Sequence, residues 1–139
     1  MRFLITAQPN PNDPSPPAAF DPELFKRYMA FNEEMHRAGI LLASEGLNPG
    51  GQGAHAIVRN GERVAVDGPF AESKELVGGF YLIEVPSLKE ALAWAAKAPC
   101  GMGFDDILEV RPLTGVGDIP PELVELIKAV APSWSATFV

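Results

Sequence analysis

The chain has 139 residues, is 47% hydrophobic and carries a formal net charge of -7 at pH 7. One domain of this size can build a full core without disulfide or metal staples. The acidic balance argues against a nucleic-acid backbone as partner, which needs clustered Lys and Arg.

No stretch approaches the ~20 apolar residues of a membrane span. Cys100 is the one cysteine, so an intrachain disulfide is impossible and a reducing compartment fits. The expectation is a cytoplasmic protein. Met1 to Ala7 lacks a basic region and a cleavage site, and reads as a first strand rather than a signal peptide.

Arg2 to Ala7 is a compact apolar run. Gln8 to Ala19 holds five prolines, which suit neither a helix nor a central strand, so it is a loop. Asp21-Pro22 is a helix start, with Asp as N-cap and Pro at the first helical position. Leu24, Tyr28, Phe31 and Met35 repeat at helical spacing, with Phe25 and Met29 reinforcing the stripe. Gly39 ends the helix. His36 then lies near its C-terminus, where a cation is favourable.

Ile40 to Leu47 reads as a second strand, ended by Asn48-Pro49-Gly50-Gly51. Ala54 to Arg59 and Glu62 to Val66 flank Asn60-Gly61, the signal of a two-residue hairpin turn. Asp67 to Glu75 is a loop dense in charge. Gly79 to Val85 is a strand rich in aromatic and β-branched residues. Ser87-Leu88-Lys89-Glu90 is a capping box that opens a helix through Lys97, stopped by Pro99. Cys100 to Phe104 is a glycine-rich turn, and Ile107 to Leu113 a last strand. Pro120-Pro121-Glu122 opens a terminal helix with Leu123, Leu126, Ile127 and Val130 on one stripe, ended by Pro132. The tail carries Trp134 and Phe138.

The order is β-α-β, a hairpin, β-α-β and an added helix. That predicts one α+β domain over 1–139, a ferredoxin-like split βαβ sandwich with an inserted hairpin and a C-terminal helical extension from about residue 118. Two long helices cover one face of such a sheet. A second copy packed on the other face, giving a homodimer, is the natural way to bury the rest.

The run DGPFAESKE at 67–75, the strand GGFYLIEV, the helix SLKEALAWAAKAP and the strand ILEVRPL closely resemble the DGPF, or YCII-related, domain proteins of bacteria. ASEGLNP resembles that family's Gly-Leu-His-Pro stretch, and IPPELVELIKA the "PEL" tail of one branch. The resemblance spans roughly residues 2–130. It implies a ferredoxin-like, dimeric α+β barrel. A relative in the wider superfamily acts on chlorinated muconolactones by acid–base elimination. Some DGPF genes sit beside those of extracytoplasmic-function sigma factors, which implies a regulatory reading. The wider YCII group has a proposed His–Asp catalytic pair. Here Asn48 stands where many relatives carry His. Asn hydrogen-bonds but exchanges no proton near neutrality.

His55 could replace that base beside Asp67, and the hairpin tests the idea. With Asn60-Gly61 as turn, His55 faces Val66 and Asp67 faces Ala54, so the two side chains point to opposite faces. Two histidines and one cysteine at no ligand spacing argue against a zinc site. A hard cation on Glu45, Asp67 and Glu72 is the weaker metal alternative. The expectation is no metal and no cofactor. The glycine runs lack a nucleotide-binding pattern.

Two functional expectations remain. In the first, a cofactor-free lyase or isomerase uses Asp67 or Glu45 to move a proton beside a carbonyl. Asn48 and Tyr81 orient the substrate, and Glu72, Lys74 and Arg111 complete the ligand contacts. Arg111 suits a carboxylate, because its planar fork binds one bidentately. In the second, the same pocket only binds a small molecule, or the dimer serves a partner such as a sigma factor. Asn48 favours the second.

Overall fold

The computed structural model describes residues 1–13, 15, 19–48, 53–67, 78–100 and 105–139. In chain order these form β1 (Arg2–Gln8), α1 (Pro22–Arg37), β2 (Leu41–Gly46), β3 (Ala54–Arg59), β4 (Glu62–Asp67), β5 (Gly79–Glu84), α2 (Leu88–Ala95), β6 (Ile107–Pro112), a 3-10 turn (Val116–Asp118), α3 (Pro121–Val130) and α4 (Pro132–Ser135).

Four strands make one sheet in the order β2-β5-β1-β6, and β3 and β4 make a separate two-stranded sheet. Every neighbouring pair is antiparallel. β1 and β2 therefore run parallel with β5 between them, and β5 and β6 run parallel with β1 between them. This is an α+β fold consistent with the split βαβ order expected from the sequence.

The local signals act as expected. Asp21 caps α1 by accepting from the Glu23 amide, and Pro22 occupies its first turn. Gly39 has a φ of 72°. Its amide donates to the His36 carbonyl, and Ile40 donates to Met35, which closes the helix and turns the chain into β2. Ser87 caps α2 by accepting from the Glu90 amide at 3.2 Å. Asn60 and Gly61 have φ of 53° and 80°, the pair of positive values that a type I′ hairpin needs. Gly79 permits a close approach, since a Cβ there would lie 2.8 Å from the Glu45 carbonyl oxygen.

One face of the main sheet holds the core. Phe3, Ile5, Phe31, Met35, Ile83, Val85 and Ala91 are buried together, with Tyr81, Leu41, Leu108 and Val110 packed at the edges. The stripe on α1 behaves as read at Phe31 and Met35. Leu24 and Tyr28 stay half-buried, and Phe25 and Met29 are exposed. Each fully buried side chain of this size contributes about 1.5–3 kcal/mol relative to exposure. Lys97, two residues past the end of α2, meets Glu34 of α1 at the surface and lies over the Trp94 ring at 4.4 Å from its centroid.

The other face carries Leu4, Thr6, Phe80 and Leu82, which alternate with the buried Phe3, Ile5 and Ile83 and are half-buried. Arg2 lies on that side, and its guanidinium donates to the Val139 oxygen at 3.3 Å.

α3 ends at Val130, two residues before Pro132, as read, and Pro132 then opens a further short helix, α4; proline suits a first helical position. The C-terminal region differs from the sequence reading in which edge of α3 turns inward. On α3, Leu123, Leu126 and Val130 are exposed, while Val124 and Ile127 are half-buried. The helix turns a different edge inward than its Leu stripe suggests. Trp134 and Phe138 stack at 5.3 Å.

Candidate functional site

The antiparallel register gathers four strand ends. Gly79 at the start of β5 pairs with Ala7 near the end of β1 and with Gly46 at the end of β2. Ile107 at the start of β6 pairs with Gln8. The segments that follow β1 and β2 and precede β5 and β6 therefore meet at one end of the sheet. Gly78 closes the gap there: its amide donates to the Ala7 carbonyl, and its carbonyl accepts from Leu47.

On the helix side of this end stand Tyr28, Tyr81 and Asp106. Tyr28 lies in the second turn of α1. Tyr81 lies on β5 opposite the buried Ile5, and its ring meets Phe31 edge-on at 5.5 Å and 89°. That contact fixes the ring and leaves its hydroxyl end to the polar side. Asp106 directly precedes β6 and is half-buried. Among the described residues, neither tyrosine hydroxyl has a hydrogen-bond partner.

Asp106 acts on both phenols, and Tyr28 acts on Tyr81. The Tyr81 phenol is pushed up to about 12, first by burial and then by the negative charge of Tyr28 and of Asp106. The Tyr28 phenol is also raised, by burial and then by Asp106 and Cys100, while Arg27 opposes the rise. Burial raises the Asp106 carboxyl, with Asp105 adding to it and a backbone hydrogen bond opposing it. At neutral pH the site thus presents two protonated phenols beside a carboxyl group that holds its proton more tightly than usual.

Neighbouring contacts set the frame. The Ser44 hydroxyl donates to Asn32 Oδ1 at 3.1 Å, linking β2 to α1. The Asp105 amide donates to Asp13 Oδ2 at 2.8 Å, tying the segment after β1 to the residue before Asp106. Asp13 is held below its ordinary value by hydrogen bonds from Ser15 and Asp105. Arg27 donates to the Cys100 carbonyl at 3.4 Å.

The residues expected from the sequence fall in different places. Tyr81 is in the site. Ser44, not Glu45, is its partner across β2. The reason is a bulge between Leu41 and Ala43, which leaves Leu42 unpaired and 50% exposed. The extra residue reverses the alternation, turning Ser44 toward the helices and Glu45 to the opposite face. Arg111 also lies on that opposite face. It pairs with Leu4, and its guanidinium meets Glu109 Oε1 at 3.7 Å. With side chains 75% and 44% exposed, that ion pair contributes little. Glu45 and Arg111 stand on opposite edge strands, about 14 Å apart by strand spacing.

Asn48 is exposed just beyond β2. Asp67 ends β4, and its backbone pairs with Ala54 while His55 pairs with Val66, the register read from the turn. Glu72 and Lys74 lie outside the described residues, as does the turn at 101–104.

Sequence reading missed Asp106 altogether and took Tyr28 for a core position. Two signals were present: polar Tyr28 and Asn32 interrupt the apolar face of α1 at (i, i+4), and Asp105-Asp106 stands directly before a strand.

Among the described residues, no helix is long and apolar enough to cross a membrane. A curated relative, an uncharacterized protein of Rhizobium meliloti (strain 1021), is 49% identical over 53 residues, which cover 38% of this chain and 43% of the relative. The chain thus matches less than half the length of that relative. The YCII-related domain family matches residues 1–114, through β6 and short of α3. With more than three-quarters of its length matched, the chain belongs to the YCII-related domain family.

Proposed function

We propose that the protein binds a small molecule at the Tyr28–Tyr81–Asp106 end of the sheet and moves a proton on it, as a cofactor-free lyase or isomerase. One observation carries this reading: a half-buried carboxyl of raised pKa stands beside two protonated phenols with no hydrogen-bond partner among the described residues. Two phenols can hold an oxygen that gains negative charge, and a carboxylate poised above its usual range is a better base near neutrality.

The active unit in this reading is a homodimer with ferredoxin-like sheets packed face to face, as in a dimeric α+β barrel. The half-buried Leu4, Phe80 and Leu82 support it. So does the charge pattern, with Glu45 at one edge of that face and Arg111 at the other. A two-fold partner can set unlike edges against each other. Glu45 and Arg111 then serve a cleft at the dimer face. Asp67, Asn48, Glu72 and Lys74 are proposed as further ligand contacts.

Screening neutral lactones and keto compounds for turnover tests the reading, with Asp106→Asn and Tyr81→Phe as variants. The expected result is loss of at least about 100-fold in kcat for Asp106→Asn and a smaller loss for Tyr81→Phe, with both variants folded. Wild-type activity should rise with pH through the Asp106 pKa. Turnover that survives Asp106→Asn would sink the assignment. A second reading, a non-catalytic ligand sensor working with a sigma factor, is favoured by Asn48, which cannot act as the base proposed for the histidine that many relatives carry there. Tight ligand binding with no turnover would move the weight to it.

A further inference from the structure

We infer that Asn32, held in place by Ser44, is a third hydrogen-bond donor of this site, which amid its carboxylates takes an uncharged carbonyl oxygen in preference to a carboxylate. The inference rests on the site proposed above and adds the class of ligand.

Asn32 stands one turn after Tyr28 on α1, so the two side chains share a face. That face is the inward one, because Phe31 and Met35 beside them are buried in the core. Across from it, Ser44 is the strand partner of Tyr81 and donates to Asn32 Oδ1 at 3.1 Å. The bulge at Leu42 is what turns Ser44 inward. With its oxygen engaged, the Asn32 amide offers its two N–H groups, which have no partner among the described residues. Tyr28, Asn32 and Tyr81 are thus three neutral donors on neighbouring positions.

The charges around them are mostly negative, with Arg27 opposing them at Tyr28. Asp106 acts on both phenols. Asp105 adjoins it, and Asp13 is bonded to the Asp105 amide. That cation, Arg27, is exposed and donates to the Cys100 carbonyl. A ligand carboxylate at the three donors would stand among carboxylates without a facing cation. A ketone, ester or lactone oxygen accepts the same bonds without that repulsion.

Methyl levulinate and levulinate share a keto skeleton and differ in the charged end. Titrating each into full-length protein with labelled tyrosines, while following the ring signals of Tyr28 and Tyr81, reads both affinity and place. The ester should move both signals and bind about tenfold tighter than the acid. Asn32→Leu, close in volume, should weaken the ester about tenfold, and Asp106→Asn should narrow the ester-to-acid ratio. Ser44→Ala should weaken the ester less, and Ser44→Thr should restore the wild-type affinity. A merely structural Asn32 would lower the melting temperature and leave the ester affinity alone. Levulinate bound in preference to its ester, or an ester affinity unchanged in folded Asn32→Leu, overturns the inference and leaves the site standing. If neither ligand moves the tyrosine signals, both the site and the inference fall.

Discussion

Tyr28 and Tyr81 are the two tyrosines of the chain, so its phenol titration reports on the candidate site alone. Both phenols are raised, Tyr81 to about 12. Absorbance near 295 nm should therefore show no tyrosine ionising at the ordinary value in the native protein. In strong denaturant both should return to about 10. Tyr81→Phe should remove the highest step, and Asp106→Asn should lower both. The linked effect on stability has a defined sign. A folded pKa above the unfolded one stabilises fully below about pH 10 and is lost as pH rises through about 12. The alkaline loss of stability in the wild type should therefore be shallower in Tyr81→Phe. A native titration centred at 10 would show that the two rings are not packed as described.

Capping and turn chemistry at the scale of the element were open to reading, because they depend on a few adjacent residues. Asp21-Pro22, Asn60-Gly61 and Ser87 each act where the sequence places them. Ser87→Ala removes the acceptor for the Glu90 amide and should cost about 1 kcal/mol in urea unfolding. A change within error would mean that water replaces the cap fully. The same kind of reading failed on α3. Its periodicity gives the spacing of apolar residues but not which edge docks, and Val124 and Ile127 turn inward instead of the Leu123 and Leu126 edge. On β2, regular alternation from Leu41 would put Glu45 on the helix side, and the single bulged residue Leu42 exchanges it for Ser44.

For the whole molecule, the dimer is the prediction most open to test. The face bearing Leu4, Phe80 and Leu82 is half-buried within one chain, so a charge there disturbs an interface more than a core. Leu82→Glu should leave the melting of the monomer fold largely intact and shift light scattering at micromolar concentration from dimer to monomer mass. A monomeric wild type under those conditions would show the face-to-face packing to be wrong.

The sequence by itself determined the element order, the helix starts, the hairpin register and the family, because each is written in short runs: Asp21-Pro22, Asn60-Gly61 and the DGPFAESKE segment at 67–75. The turn alone also gave the register that pairs His55 with Val66 and Ala54 with Asp67. The tertiary structure decided the candidate site. Tyr28, Asn32, Ser44, Tyr81 and Asp106 come from two strands, one helix and a loop, and the sheet order β2-β5-β1-β6 brings them to one end. Local preference acts over a few residues, whereas nearness across a sheet depends on strand pairing and on a one-residue bulge. That is why Tyr81 alone of the site was legible beforehand, and why Asp106 became visible only when burial and the neighbouring Asp105 gave its carboxyl an unusual hold on its proton.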